Sequence, residues 1–426
     1  MSSDMYRRPQ EQESAGATGL APPEPGLTGS ELIARAAALR DEVRAEQDQS
    51  EARGCHSPEL QEAFVKAGFY RALQPRRFGG YEFDYVTYYK AMLEICRGDP
   101  GVGWCLILGS THGAQVASHW PEQAQVELFG ADGHFIAPHR AMGPAGRCRR
   151  VEGGYRIGGT WNYASGVPYS THFIGNVMVE DTSEQIVFIV PRKAYEVLGD
   201  WGGDATLGMR SSGSNSVRIA ETFVPAHWCV PMGRGLWSAD DVPDGTYGTR
   251  LHGNPMYLGR MMGPYHASLV ATVVGAARAA LDELEAIAKV RKTRFPPIVP
   301  WTESADVQRS FGQALLMADT AEAVLIRACE QHMEHCRRWA ADGTPFTAEE
   351  SLRLWGMHIH AGTMACDAVD VLFKAASSAA AKKGQRIERY YRDCAMYRSH
   401  SSSQLPTFAT GVARVHFGLP MGMYGI

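Results

Sequence analysis

What this 426-residue chain lacks narrows its possibilities first. There is no Cys-x-x-Cys pair: nine cysteines are scattered, and the closest two, Cys329 and Cys336, lie a heptad apart on one predicted helix, too far for a bridge. That usage predicts buried thiols in a reducing compartment, not a disulfide framework. Charge of neither sign accumulates, since 42 Lys and Arg against 46 Asp and Glu leave a formal net charge of -4. The basic clusters Arg147-Cys148-Arg149-Arg150 and Arg76-Arg77 are too short to track a polyanion, so no nucleic-acid partner is expected. No apolar run approaches membrane-spanning length, and the opening MSSDMYRRPQEQESAG has no apolar leader core, which predicts a cytoplasmic protein with no membrane partner. GxGxxG after a strand, GxxxxGK[ST] and GxSxG are all missing. Without a nicotinamide-binding motif, any reducing equivalents would have to come from a partner. His332, His335 and Cys336 share a helix but no carboxylate completes a ligand set, and His358 and His360, two apart, point in different directions, so no metal is expected.

What is present reads as α, then β, then α. Residues 1–28 are polar and rich in Pro, Gly and Glu, and are expected to be disordered. Leu32, Ile33, Ala36, Ala37, Leu39 and Val43 recur at helical spacing, and Ser57-Pro58 is an N-cap followed by proline at the first helical position. A third helix is expected over 85–96, then a loop at 98–103, giving an α-helical domain over 29–133. Short β-branched and aromatic runs at 155–157, 173–179, 186–190 and 216–219 predict a central β-barrel or sandwich over 134–245. Helices return after 246, with long ones expected from Pro264, over 304–340 and over 347–382, and a fourth carrying Arg392 and His400. These make a C-terminal four-helix bundle domain over 246–426.

Four segments in this order resemble acyl-CoA dehydrogenases. Pro75 to Gly80 matches the Pro-x-x-aromatic-Gly-Gly turn, GGYRIGGTWNYASG the strand and turn that meet the flavin, GMRSSGSNSVRIAETFVP the Gly-x-Arg-x-Ser segment, and VVGAARAALDELEAIAKVRK the first bundle helix. The resemblance covers roughly residues 30–420 and implies a mainly α fold with a central β-barrel. Within the family the chain looks closer to the two-component flavin-dependent monooxygenases. Tyr163-Ala164-Ser165-Gly166 stands where dehydrogenases carry Trp-Ile-Thr-Asn, Ser212-Gly213-Ser214 follows Arg210, and His400 follows Arg392-Asp393 where many dehydrogenases carry a glutamate. A group that titrates near neutrality thus replaces a carboxylate base.

The resemblance implies an oxygenase component that takes reduced FMN or FAD from a separate NAD(P)H-flavin reductase. Through a flavin hydroperoxide formed with O2, it would hydroxylate a small aromatic or polyketide-like substrate or N-oxygenate an amine. Ser165 would hydrogen-bond the central flavin ring, Arg210 would lie beside the ring or its phosphate, and Ser212 and Ser214 would bond phosphate or substrate. Trp161 and Tyr163 would pack on the isoalloxazine, although aromatics on a strand are commonly core. His400 would deprotonate the substrate or hold it in place, and His112 would line the substrate pocket. A homotetramer is expected. The alternative is an acyl-CoA dehydrogenase or oxidase with a relocated base, and the other chain position for that base, Met256 to Arg260, holds no acid.

Overall fold

A computed structural model describes residues 19–422 apart from 142, 234–235 and 237–241. The N-terminal part is helical: α1 Gly29–Ala45, α2 Gln47–Arg53, α3 Pro58–Ala67, α4 Tyr85–Gly98, α5 Pro100–Ser110, α6 His112–His119 and α7 Glu122–Phe129. Caps set the starts. Thr28 and Glu31 form a reciprocal capping box on α1, and the Ser57 hydroxyl accepts from Leu60 N–H at the head of α3. The expected loop at 98–103 is mostly helix, because Asp99 caps Val102 N–H and Pro100 occupies a first-turn position that needs no N–H. Residues 1–18 of the segment expected to be disordered lie outside the described residues. The remainder of that segment is mostly exposed but held at two points: Leu20 N–H donates to Arg77 O, and Leu27 is buried in the helical core.

Eight strands follow: β1 His139–Arg140, β2 Arg147–Val151, β3 Gly154–Trp161, β4 His172–Met178, β5 Gln185–Pro191, β6 Glu196–Val197, β7 Val217–Pro225 and β8 Cys229–Pro231. They form two four-stranded sheets, ordered β1-β4-β5-β8 and β2-β3-β7-β6, antiparallel except for the β1–β4 pair. No ladder joins the sheets among the described residues, so the expected barrel is two facing sheets instead. The closing strands are too short to zip them together, since β1 and β6 have two residues each. Trp161, Phe173 and Phe188 meet edge-on between the sheets. The β4–β5 ribbon is buried on both faces. Phe173, Ile186 and Phe188 belong to the sandwich core, whereas Ile174, Val187 and Ile189 belong to the helical core, which is why these strands read as unbroken apolar runs.

The C-terminal part comprises α8 Tyr247–His252, α9 Met262–Val290, α10 Ala305–Asp342, α11 Ala348–Ala375, α12 Arg386–Ser399 and α13 Leu405–His416. Helices α9 to α12 pack on one another as the expected bundle, and α4 and α5 also pack on α9. The third long helix ends at Ala375, short of 382, and α13, packed on α11, lies beyond what the periodicity predicted. All nine cysteines are buried thiols.

Candidate active site

A cavity of about 360 Å³ opens where α5, β1, the 163–165 turn, the 209–214 loop, α9 and the end of α12 converge. Tyr163, Ser165, Ser212, Ser214 and His400 all line it, so five of the eight residues singled out in the sequence come together. The turn owes its place to two backbone bonds, Ala164 N–H to Asn215 O at 3.0 Å and Gly166 N–H to Ser212 O at 3.2 Å. Glycine is required at 166: its φ is +87°, and a Cβ there would sit 2.7 Å from Cys105 O on α5.

The serines form a chain of hydroxyls. Ser214 Oγ lies 2.6 Å from both Ser165 Oγ and Ser212 Oγ. Three hydroxyls carry three hydrogens and two are used within the chain, so one is left over. Ser212 is fully buried and Ser165 reaches the cavity. These distances allow an arrangement in which Ser212 donates to Ser214, Ser214 to Ser165, and the Ser165 hydrogen is free for a ligand. Tyr163, 65 % exposed and at φ +61°, meets Trp201 edge-on at 5.7 Å, and both rings line the cavity.

The 209–214 loop is tethered by the Arg-Asp pair of α12. Arg392 donates to Leu207 O at 2.9 Å and is paired with Glu51 at 3.0 Å and Glu388 at 2.6 Å. Asp393 Oδ1 accepts Met209 N–H at 2.6 Å. Gly208 lies so close to Arg392 O that any Cβ would collide with it. Burial pushes the Asp393 carboxyl up to about 7, with Asp99 adding to the rise and Arg392 opposing it.

His400 ends α12 and caps the short helix over 401–403. Its Nδ1 accepts Ser402 N–H at 3.1 Å, and its ring packs edge-on against Trp104 at 6.0 Å. Burial pulls its pKa down to about 4. At neutral pH the ring is therefore uncharged with its hydrogen on Nε2, the nitrogen left for the cavity, and it is a donor there.

The other three residues fall elsewhere. Trp161 is fully buried in the sandwich, its indole N–H donating to Asn176 O at 3.0 Å, and has no face on the cavity. The strand parity it shares with Tyr155 and Ile157 already placed it in that core. Arg210 is spent on its own loop, on Thr206 O and Asp204 at 2.9 Å each. His112 sits behind the wall, donating from Nδ1 to Ala137 O at 2.7 Å and meeting the His139 ring edge-on at 5.6 Å; burial lowers its pKa to about 4.

His139, Arg140, Trp104, Trp201, Tyr265 and Met396 line the cavity without having been singled out. Burial takes His139 down to about 3. Asn176 is oriented by donating its amide N–H to Ala141 O, so the neutral His139 ring donates from Nε2 to Asn176 Oδ1 at 2.9 Å. This bond fastens β1 to β4. No Asp or Glu lines the cavity among the described residues.

The chain matches the family "Acyl-CoA dehydrogenase, N-terminal domain" over residues 33–129 and "Acyl-CoA dehydrogenase, C-terminal domain" over 267–404. It is 26% identical over 374 residues to the flavin-dependent monooxygenase oxygenase subunit HsaA of Rhodococcus jostii, covering 84% of this chain and 91% of that protein. A pigment production hydroxylase of a Rhodococcus species is 25% identical over 400 residues, covering 93% and 98%. The solved structure of XiaF from a Streptomyces species, in complex with FADH2 and glycerol, superposes with a TM-score of 0.82 at 22% identity, covering 93% of this chain and 97% of that one. At that identity the likeness is one of fold.

Proposed function

Because this chain belongs to the acyl-CoA dehydrogenase family, in its flavin-dependent monooxygenase branch, we propose that it is the oxygenase component of a two-component flavin-dependent monooxygenase acting on a small aromatic compound. The observation that carries this reading is the make-up of the cavity wall, with a hydroxyl chain and a neutral imidazole and, among the described residues, no carboxylate. Taking a proton from an acyl chain is the work of a carboxylate in many dehydrogenases, and the described wall offers none, which speaks against a dehydrogenase or oxidase. Relatives named as hydroxylases favour oxygenation at carbon over nitrogen.

Reduced FMN or FAD, delivered by a separate NAD(P)H-dependent reductase, would supply the oxygen activation that amino-acid side chains cannot. The residues present fit such a ring. Ser165 has a hydroxyl hydrogen to spare for the ring edge, and Tyr163 and Trp201 offer an aromatic flank. Ser214 and Ser212 orient Ser165 and are not left for a phosphate. Trp104, Leu108, Leu269 and Met396 supply apolar wall that keeps water out. His400, of the two roles open to it, would hold the substrate oxygen by donating from Nε2; acting as a base would first cost it the Ser402 bond. The family matches support a division near 29–133, 134–245 and 246–426. Leu315 and Leu316, exposed on α10, and Phe295 and Ile298 beyond α9 support a homotetramer that covers them.

The test mixes the protein, preloaded anaerobically with reduced FMN or FAD, with oxygenated buffer and a panel of phenols. Reduced flavin should bind more tightly than oxidised, a spectral transient should precede the oxidised flavin, and hydroxylated product should appear. Bleaching of bound oxidised flavin by an acyl-CoA under nitrogen would return the protein to the dehydrogenases.

A further inference from the structure

Among the described residues, Arg140 is a cation without a carboxylate in ion-pair reach. It lines the cavity from β1, where the fastening of His139 to Asn176 fixes the strand. Its one hydrogen bond among the described residues runs from Nη1 to Gly143 O at 2.6 Å, which occupies one of the guanidinium's five N–H groups. No described carboxylate lies within ion-pair distance of it, whereas Arg97 is matched by Asp282, Arg278 by Asp319 and Glu322, and Arg398 by Asp367 and Asp370; Arg71, which also lacks a described carboxylate, is held by two carbonyls, Gly79 O and Asp132 O. Burial disfavours the charged form of Arg140, and the one group that offsets this through space is the Tyr265 phenol. A half-buried guanidinium at the wall of this cavity has lost part of its solvation, and an incoming anion restores it.

Its place in the cavity says whose anion. The Tyr265 hydroxyl stands 3.5 Å from Ser402 Oγ, and Ser402 N–H is the group that donates to His400 Nδ1. Arg140 thus belongs to the imidazole end, where the substrate is addressed, and not to the hydroxyl turn that would meet the flavin ring.

We propose that Arg140 anchors a carboxylate on the substrate, so that this cavity takes an aromatic acid, with the acid group paired to the guanidinium and the ring laid against Trp104, Leu269 and Met396. This rests on the oxygenase reading above for the chemistry, though not for the binding. A planar fork of donors suits a carboxylate, which accepts two parallel N–H bonds. A lysine would keep the charge and lose the fork.

The experiment pairs hydroxyphenylpropionate with propylphenol, alike in ring and chain length, and measures binding by quenching of tryptophan fluorescence with and without reduced FMN under nitrogen. Wild type should bind the acid at least about tenfold more tightly. Arg140→Met should abolish that preference while its unfolding midpoint stays put, and Arg140→Lys should keep part of it. Equal affinities in wild type, or a preference that survives in Arg140→Met, would overturn the proposal. So would a preference left intact beside a tenfold weaker grip on reduced FMN in Arg140→Met, because the anion would then be the flavin phosphate. Failure of the oxygenase reading looks different: acid selectivity in binding would persist while neither reduced-flavin binding nor hydroxylated product was found.

Discussion

At the hydroxyl end of the cavity the main fastenings come from distant parts of the chain, whereas at the imidazole end the hydrogen bond that orients His400 comes from its own next turn. Ser165 reaches its place through Ser212, Ser214 and Asn215, and that loop is pinned by Arg392 and Asp393 on α12, with Arg392 itself gripped by Glu51 on α2. His400 needs Ser402 N–H and the flank of Trp104. The first kind of end is as good as the whole fold and fails with it. The second is local, and changes there should alter chemistry and leave stability nearly untouched.

The largest effect should come from cutting the long-range fastening. Arg392→Met leaves Glu51 and Glu388 facing each other half-paired and Leu207 O without its donor. Denaturant unfolding should show a loss of about 3–5 kcal/mol, and reduced-flavin binding should fall with it. A variant as stable as wild type would mean that the loop is held by something else. At the other end, His400→Ala should leave stability and reduced-flavin binding near wild type while product formation drops about a hundredfold. His400→Asn, which keeps a donor but no titrating base, should recover part of that loss. If Asn recovers nothing and the rate follows a group titrating near neutrality, His400 is a base after all.

Ser165→Ala removes the spare hydroxyl and should weaken reduced-flavin binding about tenfold, the worth of one hydrogen bond of about 1.4 kcal/mol. An equal loss in Ser212→Ala and none in Ser165→Ala would reverse the direction assigned to the hydroxyl chain.

The pH dependence is the most discriminating test, because acid acts on the two ends with opposite sign. At the hydroxyl end Asp393 is raised to about 7, so the folded state keeps a proton that the unfolded chain releases near ~3.9. Its contribution is present at low pH and is lost as pH rises through 7. At the imidazole end His400, His112 and His139 are lowered to about 4, 4 and 3 against an unfolded value near ~6.5. Their contribution is present above that value and is lost as pH falls through 4. Between about pH 4 and 7, then, wild type should lose stability relative to Asp393→Asn as pH rises, while the acid loss that comes from the histidines should appear in both. Parallel curves across the whole range would show that Asp393 titrates as an ordinary carboxyl.

The sequence carried the helices well, because 3.6-residue spacing and Ser, Thr and Asp caps are local signals. It also carried the three serines and His400, which lie in short runs next to glycine or to the Arg-Asp pair. It carried β1 poorly. Two residues have no period to read, so His139 and Arg140 passed unnoticed although both line the cavity. Trp201 lies in a glycine-rich loop whose path is set by Asn215 and Met209, contacts that no spacing announces. Arg210 misled because guanidinium chemistry suits a phosphate, and nothing in the order of residues says that Asp204 claims it first. Closure of the β region could not be judged either, since it depends on two-residue strands that leave no pattern.

The ribbon of β4 and β5, wetted on neither face, has a consequence for dissection of this protein. Cut out alone, the β region over 134–245 would turn Ile174, Val187 and Ile189 outward to water, presenting a sticky plate where the helices had rested. Such a fragment should clump, and the three segments are best regarded as halves of shared walls: none of them is a detachable module.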